Sequence, residues 1–447
     1  MKKHLLFIII LFLGIQIHAQ NSMTLSLDDA IAYALENSYA IKQANKDIES
    51  SIHRNRETVA IGLPQIEASI DYQNWLKQQI SLIPAEFVGG QPGEYIEVAF
   101  GTSNNLNASA TLNQLIFDGS YIVGLKYLDT YMQIPINAKE KTAQLIRENV
   151  INAYGNVLFT EEGILILEKN VATLEQNLMQ TEEIYKNGFA EEESVEQLKI
   201  TLASLKISLS KTEKLKTISY KMLNIILGSD INTPLILTDN LDNLTTQNIR
   251  LDLLSKDFTV EDHIDYRIAE ITQEGKEAVV KLEKSKALPT LKSFINYGYA
   301  GYSDTFSFLN NDQKWFDYSL LGLSLDIPIF SSLARSSRTQ QAKIDFDKAQ
   351  INLIQTTQKV YLELETAKVE YQYSIEEFET SKENLALAER IEKKQEIKFF
   401  EGLSTSFDLT EAQRQLYTMQ QNYLQSMLNV IASKAVLDKA LNTPINN

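Results

Sequence analysis

Leu364, Ala367, Tyr371, Ser374, Phe378, Ser381, Leu385 and Ala388 step along the chain by three and four residues in alternation. Residues so spaced fall on one stripe of a helix, and a strict seven-residue period keeps that stripe on a partner as the two helices supercoil. The same register recurs 214 positions earlier, at Val150, Ala153, Val157, Thr160, Ile164, Leu167, Val171 and Leu174. Leu409, Ala412, Leu416, Met419, Tyr423, Ser426 and Val430 continue it, as do Val195, Leu198, Leu202, Leu205 and Leu209. In the second half, large residues at one heptad position face small ones at the other, which permits close approach. Residues 120–187 and 333–401 each read as helix for roughly 70 residues, or about 100 Å at the helical rise. Pro135 is expected to kink or break the first of them. Antiparallel helices of that length build a fibre or a tube rather than a globular core.

The repetition extends beyond the helices. IGLPQIEASIDY at 61–72 resembles KALPTLKSFINY at 286–297, LNQLIFDGS at 112–120 resembles LSLDIPIFSS at 323–332, and IYKNGFAEEESVEQL at 184–198 resembles KFFEGLSTSFDLTEAQ at 398–413. Each half runs helix, strand, loop, strand, long helix, tip, helix. The first repeat covers 20–230, with strands at 65–75 and 104–117 and a tip near 188. A linker covers 231–259. The second repeat covers 260–447, with strands at 290–302 and 315–327 and a tip near 402. Pro64, Pro289, Phe117 and Phe330 mark the junctions between helix and strand.

The strands alternate. In the first, Ile66, Ala68, Ile70 and Tyr72 oppose Glu67, Ser69, Asp71 and Gln73, the signature of a strand with one apolar and one polar face. Each strand has the ~9–11 residues that a tilted membrane strand needs. Trp75 and Trp315 fall at the loop ends of their strands, with Tyr72, Tyr299, Tyr302, Phe316 and Tyr318 nearby, as in an aromatic girdle at a lipid–water boundary. A soluble sheet with one face on a core gives the same alternation. In a membrane, four strands cannot close a barrel and an open edge cannot face lipid, so other copies of the chain would have to complete it, with cyclic symmetry the natural closure. The apolar face would then meet lipid and the polar face a water-filled lumen.

Composition narrows the function. MKKHLLFIIILFLGIQIHAQ reads as a secretory signal peptide over 1–19, with cleavage after Ala19 and an apolar run too short to span a bilayer. Removing it takes the net charge from −16 to −18, which argues against nucleic acid as a partner. The chain has no cysteine, so it has no disulfide framework or thiolate site. His53 and His263 stand apart from any ligand-like cluster. No nucleophile constellation, phosphate loop or metal cluster is legible, and neither enzyme activity nor a cofactor is expected. The scattered methionines point to no copper or silver cargo.

The ordered set of landmarks, from SLDDAIAYALENSYAI at 26–41 to SKAVLDKALN at 433–442, resembles the TolC-like outer-membrane efflux proteins over essentially the whole chain after the signal peptide. The loop text IPAEFVGGQPGEYIEVAFGT at 83–102 resembles members from the Bacteroidetes. The resemblance implies an α+β membrane protein: a homotrimer whose twelve strands form one barrel in the outer membrane, above a hollow helical tube in the periplasm. It also implies export, with a periplasmic adaptor (membrane fusion) protein and an inner-membrane pump of RND or ABC type delivering cargo for efflux or type I secretion. A coiled-coil periplasmic spacer or surface structural protein without a pore is the competing reading.

The same resemblance assigns a gate. The family's second tip carries two aspartates whose rings narrow the periplasmic entrance, and GLSTSFDLTE at 402–411 places Asp408 and Glu411 on those positions. Three copies of each near an axis would make a cation-selective constriction. At the first tip the family often has an aspartate where this chain has Ser194, which weakens a role there. Glu191, Glu192 and Glu193 read as a solvated charge run. Helix capping is an alternative for the same residues. Thr405 with Asp408, and Ser194 with Gln197, match capping boxes, and acidic side chains suit a first helical turn. Gly188, Ser194, Gly402, Ser404 and Thr405 would let an adaptor hairpin pack against the tips; glycine also simply ends a helix.

Overall fold

The computed structural model describes residues 23–443; the signal-peptide interval lies outside them. The described residues form two compact units, one from residues 23–48, 134–270 and 352–443 and the other from residues 49–133 and 271–351. Each unit draws on both sequence repeats.

The first unit is built on helices. α4 (Leu128–Lys186), α5 (Glu192–Leu227), α8 (Ala334–Phe400) and α9 (Ser406–Ala440) contain the heptad segments. In the first hairpin, Leu167, Val171 and Leu174 of α4 form one buried cluster with Leu198, Leu202 and Leu205 of α5. Glu161–Lys216, Glu175–Lys206 and Glu182–Lys199 lie beside it at 2.8, 2.6 and 2.9 Å. These pairs are partly exposed, so each stabilises by at most about 1 kcal/mol, and they set register more than stability. In the second hairpin, Tyr371 and Phe378 are buried beside Ser374, whose hydroxyl lies 2.7 Å from that of Ser433. The small residue admits the facing backbone, as the large–small alternation requires.

Pro135 lies inside α4, which continues through it; the interruption falls earlier, at Tyr127, between α3 (Gly119–Lys126) and α4. One missing N–H is tolerated because the turns on either side remain bonded, whereas at Tyr127 the backbone itself leaves helical geometry, at φ −105° and ψ 11°.

The linker is more structured than a connection. β1 (Met23–Leu25) pairs in parallel with β6 (Leu235–Leu237), and α6 (Leu241–Asn248) follows. Two buried tyrosines hold this layer. The Tyr154 hydroxyl donates to the Asp239 carboxylate at 2.7 Å, and that of Tyr371 donates to Asn248 O at 2.6 Å and accepts from the Arg250 N–H at 2.7 Å.

The second unit contains a four-stranded antiparallel sheet in the order β2 (Gln65–Asn74), β5 (Asn104–Asp118), β7 (Thr290–Ser303), β8 (Trp315–Asp326). β5 and β7, one from each repeat, are the central pair, which leaves β2 and β8 as open edges. The loop expected over residues 77–103 is not a plain one: β3 (Ile80–Pro84) and β4 (Tyr95–Ala99) form a separate hairpin there.

The junctions repeat in detail. Before Pro64, the Gly62 and Leu63 N–H groups bond to carbonyls three residues back; before Pro289, Ala287 and Leu288 do the same. This closes the helix just ahead of a residue that cannot continue it. The exits differ. Phe117 stays in β5 beside a bulge, and Asp118 caps α3 by accepting from the Ser120 and Tyr121 N–H groups. Phe330 lies outside helix and strand, and the chain reaches α8 through Ser332 and Leu333 at φ 47° and 68°.

Candidate functional site

The residues singled out in the sequence gather in two places: the sheet and the tips. Paired strand residues share a face, so the register assigns every side chain. Ile66, Ile70, Leu106, Leu112, Ile295, Leu321, Leu323 and Leu325 share one face. Ile70 is 76% exposed and Leu321 71%. The other face carries Glu67, Ser69, Asp71, Asn105, Asn107, Ser109, Thr111 and Asn296. Its groups bond to one another: Ser69 to Ser109 at 3.3 Å, Asn296 to Thr111 at 2.6 Å and Tyr318 to Asn107 at 2.8 Å. An apolar face uncovered within the chain, behind a polar face with its own hydrogen-bond network, has the two-sidedness that a barrel wall needs.

The aromatic residues divide between the faces. Tyr72, Tyr299 and Trp315 lie on the apolar face. Tyr302, Phe316 and Tyr318 lie on the polar one, so they do not share a face with Tyr72, Tyr299 and Trp315. Sequence proximity grouped them; alternation separates them. Trp75 follows β2, and its N–H bonds to Ser103 O at 2.8 Å. Three direct cross-strand pairs match an aromatic to a glycine: Tyr318 with Gly298, Phe294 with Gly322 and Trp315 with Gly301. A Cβ on Gly298 would stand 2.7 Å from the Tyr318 ring, so the ring lies flat across the strand only because glycine is there.

The two tips end their first helix identically. The Gly188 N–H bonds to Tyr185 O and the Phe189 N–H to Ile184 O; the Gly402 N–H bonds to Phe399 O and the Leu403 N–H to Lys398 O. This is a Schellman motif, with glycine at φ +77° and +74°. A Cβ at either glycine would meet nothing within 4 Å, so backbone conformation, rather than space, demands glycine.

The second helices begin differently. At the second tip, the Thr405 hydroxyl accepts from the Asp408 N–H at 3.2 Å. The Asp408 carboxylate in turn accepts from the Thr405 N–H at 3.0 Å and its hydroxyl at 2.7 Å. These bonds hold the Asp408 carboxyl below the ordinary carboxylate range. Glu411 accepts two bonds from Arg414, at 2.9 and 2.5 Å, which lower its pKa in turn. Ser404 stands in the turn, its hydroxyl buried without a partner. At the first tip, Glu191 holds the cap position without a side-chain bond. Ser194 is already inside α5, and the Gln197 amide reaches Glu193 at 3.1 Å. The capping box expected of Ser194 and Gln197 is therefore absent, because the helix starts three residues earlier than that pattern needs.

Comparison with known proteins follows the same lines. Residues 262–443 match the model of the outer membrane efflux protein family. Outer membrane protein TolC of Vibrio cholerae is 21% identical over 342 residues, 76% of this chain and 77% of that protein. Both likenesses point to the TolC-like outer-membrane efflux proteins. Solved channels share its fold. The CusC structure aligns with a TM-score of 0.73 at 17% identity, over 96% of this chain and 95% of that one. The CmeC outer membrane channel of Campylobacter jejuni aligns at 0.72 and 16%, over 93% and 85%. Among the described residues, no helix is long and apolar enough to cross a membrane.

Proposed function

We propose that three copies of this TolC-like chain close a twelve-stranded barrel and that Asp408 and Glu411 narrow its periplasmic entrance. The chain is an outer-membrane exit duct of an efflux system, with its helical tube in the periplasm. The carrying observation is the sheet: four amphipathic strands whose outer members, β2 and β8, have unpaired edges that lipid would not tolerate. The helices agree. Leu362 and Val369 of α8, one heptad apart, are 67% and 65% exposed in the single chain, and Ile200 and Ile207 of α5 are 69% and 70% exposed. Apolar stripes left uncovered at heptad spacing suit neighbouring copies. A periplasmic adaptor and an RND or ABC pump would supply cargo, the adaptor seating against the small residues of the tips, Gly188 and Gly402 among them. The role is conduction rather than catalysis.

For the gate, hydrogen bonding alone supports capping. Asp408 makes the bonds that Asp29 makes with Ser26 at the start of α1 (Leu27–Asn37), where no gate is expected. Family position and threefold symmetry add the second role. Because Arg414 pairs with Glu411, most of the uncompensated charge would fall on Asp408.

Single-channel conductance in planar bilayers tests this. Wild type should give a small, cation-selective conductance that rises and loses selectivity in Asp408→Ala/Glu411→Ala. Arg414→Ala, which frees Glu411, should raise cation selectivity. Pores unaffected by all three changes would return both carboxylates to capping. A chain soluble without detergent and unable to conduct would be a spacer.

A further inference from the structure

The connection between β7 and β8, residues 304–314, has an organisation that the duct does not by itself explain. The register sets Tyr72, Leu106, Gly301 and Trp315 in one row across the apolar face of the sheet. Phe308 lies over this row. It is 5% exposed, with its ring centre 6.0 Å from that of Tyr72 and 6.2 Å from that of Trp315. Phe306 stands 5.6 Å from both Tyr72 and Phe308. A Cβ on Gly301 would come within 3.2 Å of the Phe308 ring, so glycine makes the seat. The connection therefore folds back onto the apolar side of its own sheet.

It is held there. The Ser307 hydroxyl lies 2.6 Å from the Gln313 side-chain oxygen, the Asn310 N–H bonds to Ser307 O, and Asp304 accepts from the Ser103 N–H at 3.2 Å. So pinned, the segment leaves Phe306 61% and Leu309 86% exposed. The depth is marked by the next rows of the same face. Tyr299 pairs with Asp317 and Tyr297 with Ser319, the two tyrosine hydroxyls 2.8 Å apart, before β8 turns wholly apolar at Leu321, Leu323 and Leu325. Polar groups enter the apolar face at this end, where a lipid-facing wall passes from hydrocarbon to headgroups. Aromatic side chains favour that layer.

We infer that residues 304–314 are an interfacial foot: Phe308 clamps the segment to the sheet, and Phe306 and Leu309 enter the headgroup layer of the outer leaflet. The inference rests on the barrel reading above. Its occupant is lipid because the foot lies on the same face as Leu321 and Ile70 and continues it.

Tryptophan quenching separates the two claims. In a Trp75→Phe/Trp315→Phe background, single tryptophans are placed at Leu309→Trp and, as a control, Leu321→Trp. The full chain is reconstituted in phosphatidylcholine vesicles carrying a nitroxide on the headgroup or at mid-chain. Leu321→Trp should lose most of its fluorescence to the mid-chain label; if it does not, the barrel reading fails. Leu309→Trp should be quenched mainly by the headgroup label, and adding Phe308→Ala should shift it to quenching by aqueous acrylamide. Quenching of Leu309→Trp by acrylamide alone would place the foot in water and overturn the inference. Insensitivity to both lipid and acrylamide would mean that another copy covers it, and would overturn it equally. Should the background fail to assemble, the absence of cysteine lets a polarity-sensitive dye on Leu309→Cys make the same measurement.

Discussion

The two helical hairpins occupy the same register 214 residues apart, yet they solve the same problem with different chemistry. The first packs leucine on leucine and starts its returning helix with an uncapped Glu191. The second packs large residues against small ones and starts with the Thr405–Asp408 box. Their Schellman ends are the same. The turn geometry is fixed by the need to reverse the chain, while core and cap are free to diverge. The hairpin that seats small residues in its core is also the one with acidic side chains held in place at its tip.

The sharpest break of that comparison exchanges its cores. Leu198 and Ala412 share a register position, and both are buried, at 0% and 5% exposure. Leu198→Ala should cost about 2–5 kcal/mol by opening a cavity, and Ala412→Leu about 1–3 kcal/mol by overpacking. Hydrogen exchange along α5 and α9 measures both as local opening energies. Equal, small effects would mean that neighbouring copies, rather than the hairpin cores, hold these helices.

At the turns the hairpins should behave alike. Gly188→Ala and Gly402→Ala should each cost roughly 1–2 kcal/mol from left-handed backbone alone, read as faster exchange of the preceding helical turn. At the caps they should part. Thr405→Ala should cost about 1 kcal/mol, whereas Ser194→Ala should stay within about 0.5 kcal/mol.

The smallest effect is acid dependence. Thr405 lowers the Asp408 pKa and Arg414 that of Glu411. Stability from a depressed carboxylate is fully present above its unfolded value, about 4, and is lost as pH falls through the lower folded value. The start of α9 should therefore loosen below about pH 4, and Thr405→Ala should remove much of that dependence. Loosening that persists in the variant would assign it to Glu411.

Much of the architecture could be read from the chain because it rests on periodicity. Most heptad positions at 364–388 and 150–174 are buried on α8 and α4, with Ser381, Leu385 and Ile164 half-buried. The strand expected at 290–302 is observed as Thr290–Ser303, and that at 315–327 as Trp315–Asp326. The resemblance supplied the likeness to efflux channels that the comparisons repeat. Features without a period stayed hidden. The hairpin inside 75–103 is short and broken by turns. The foot at 304–314 depends on Phe308 reaching a row of residues drawn from four strands. Ser194 fits a capping pattern, but its helix begins elsewhere. The gate and adaptor roles proposed for the tips come from the resemblance alone, since they need several copies around an axis.

What the sequence by itself determined is which residues share a face, because helical and strand periods are local properties of the backbone. What only the tertiary structure decided is which faces meet. It put β5 beside β7 and left β2 and β8 open. It sent Tyr154 to Asp239 and Tyr371 to Asn248, and it laid Phe308 over Gly301. Those contacts join residues far apart in the chain, where no local rule specifies a partner and only shape, burial and hydrogen-bond satisfaction choose it.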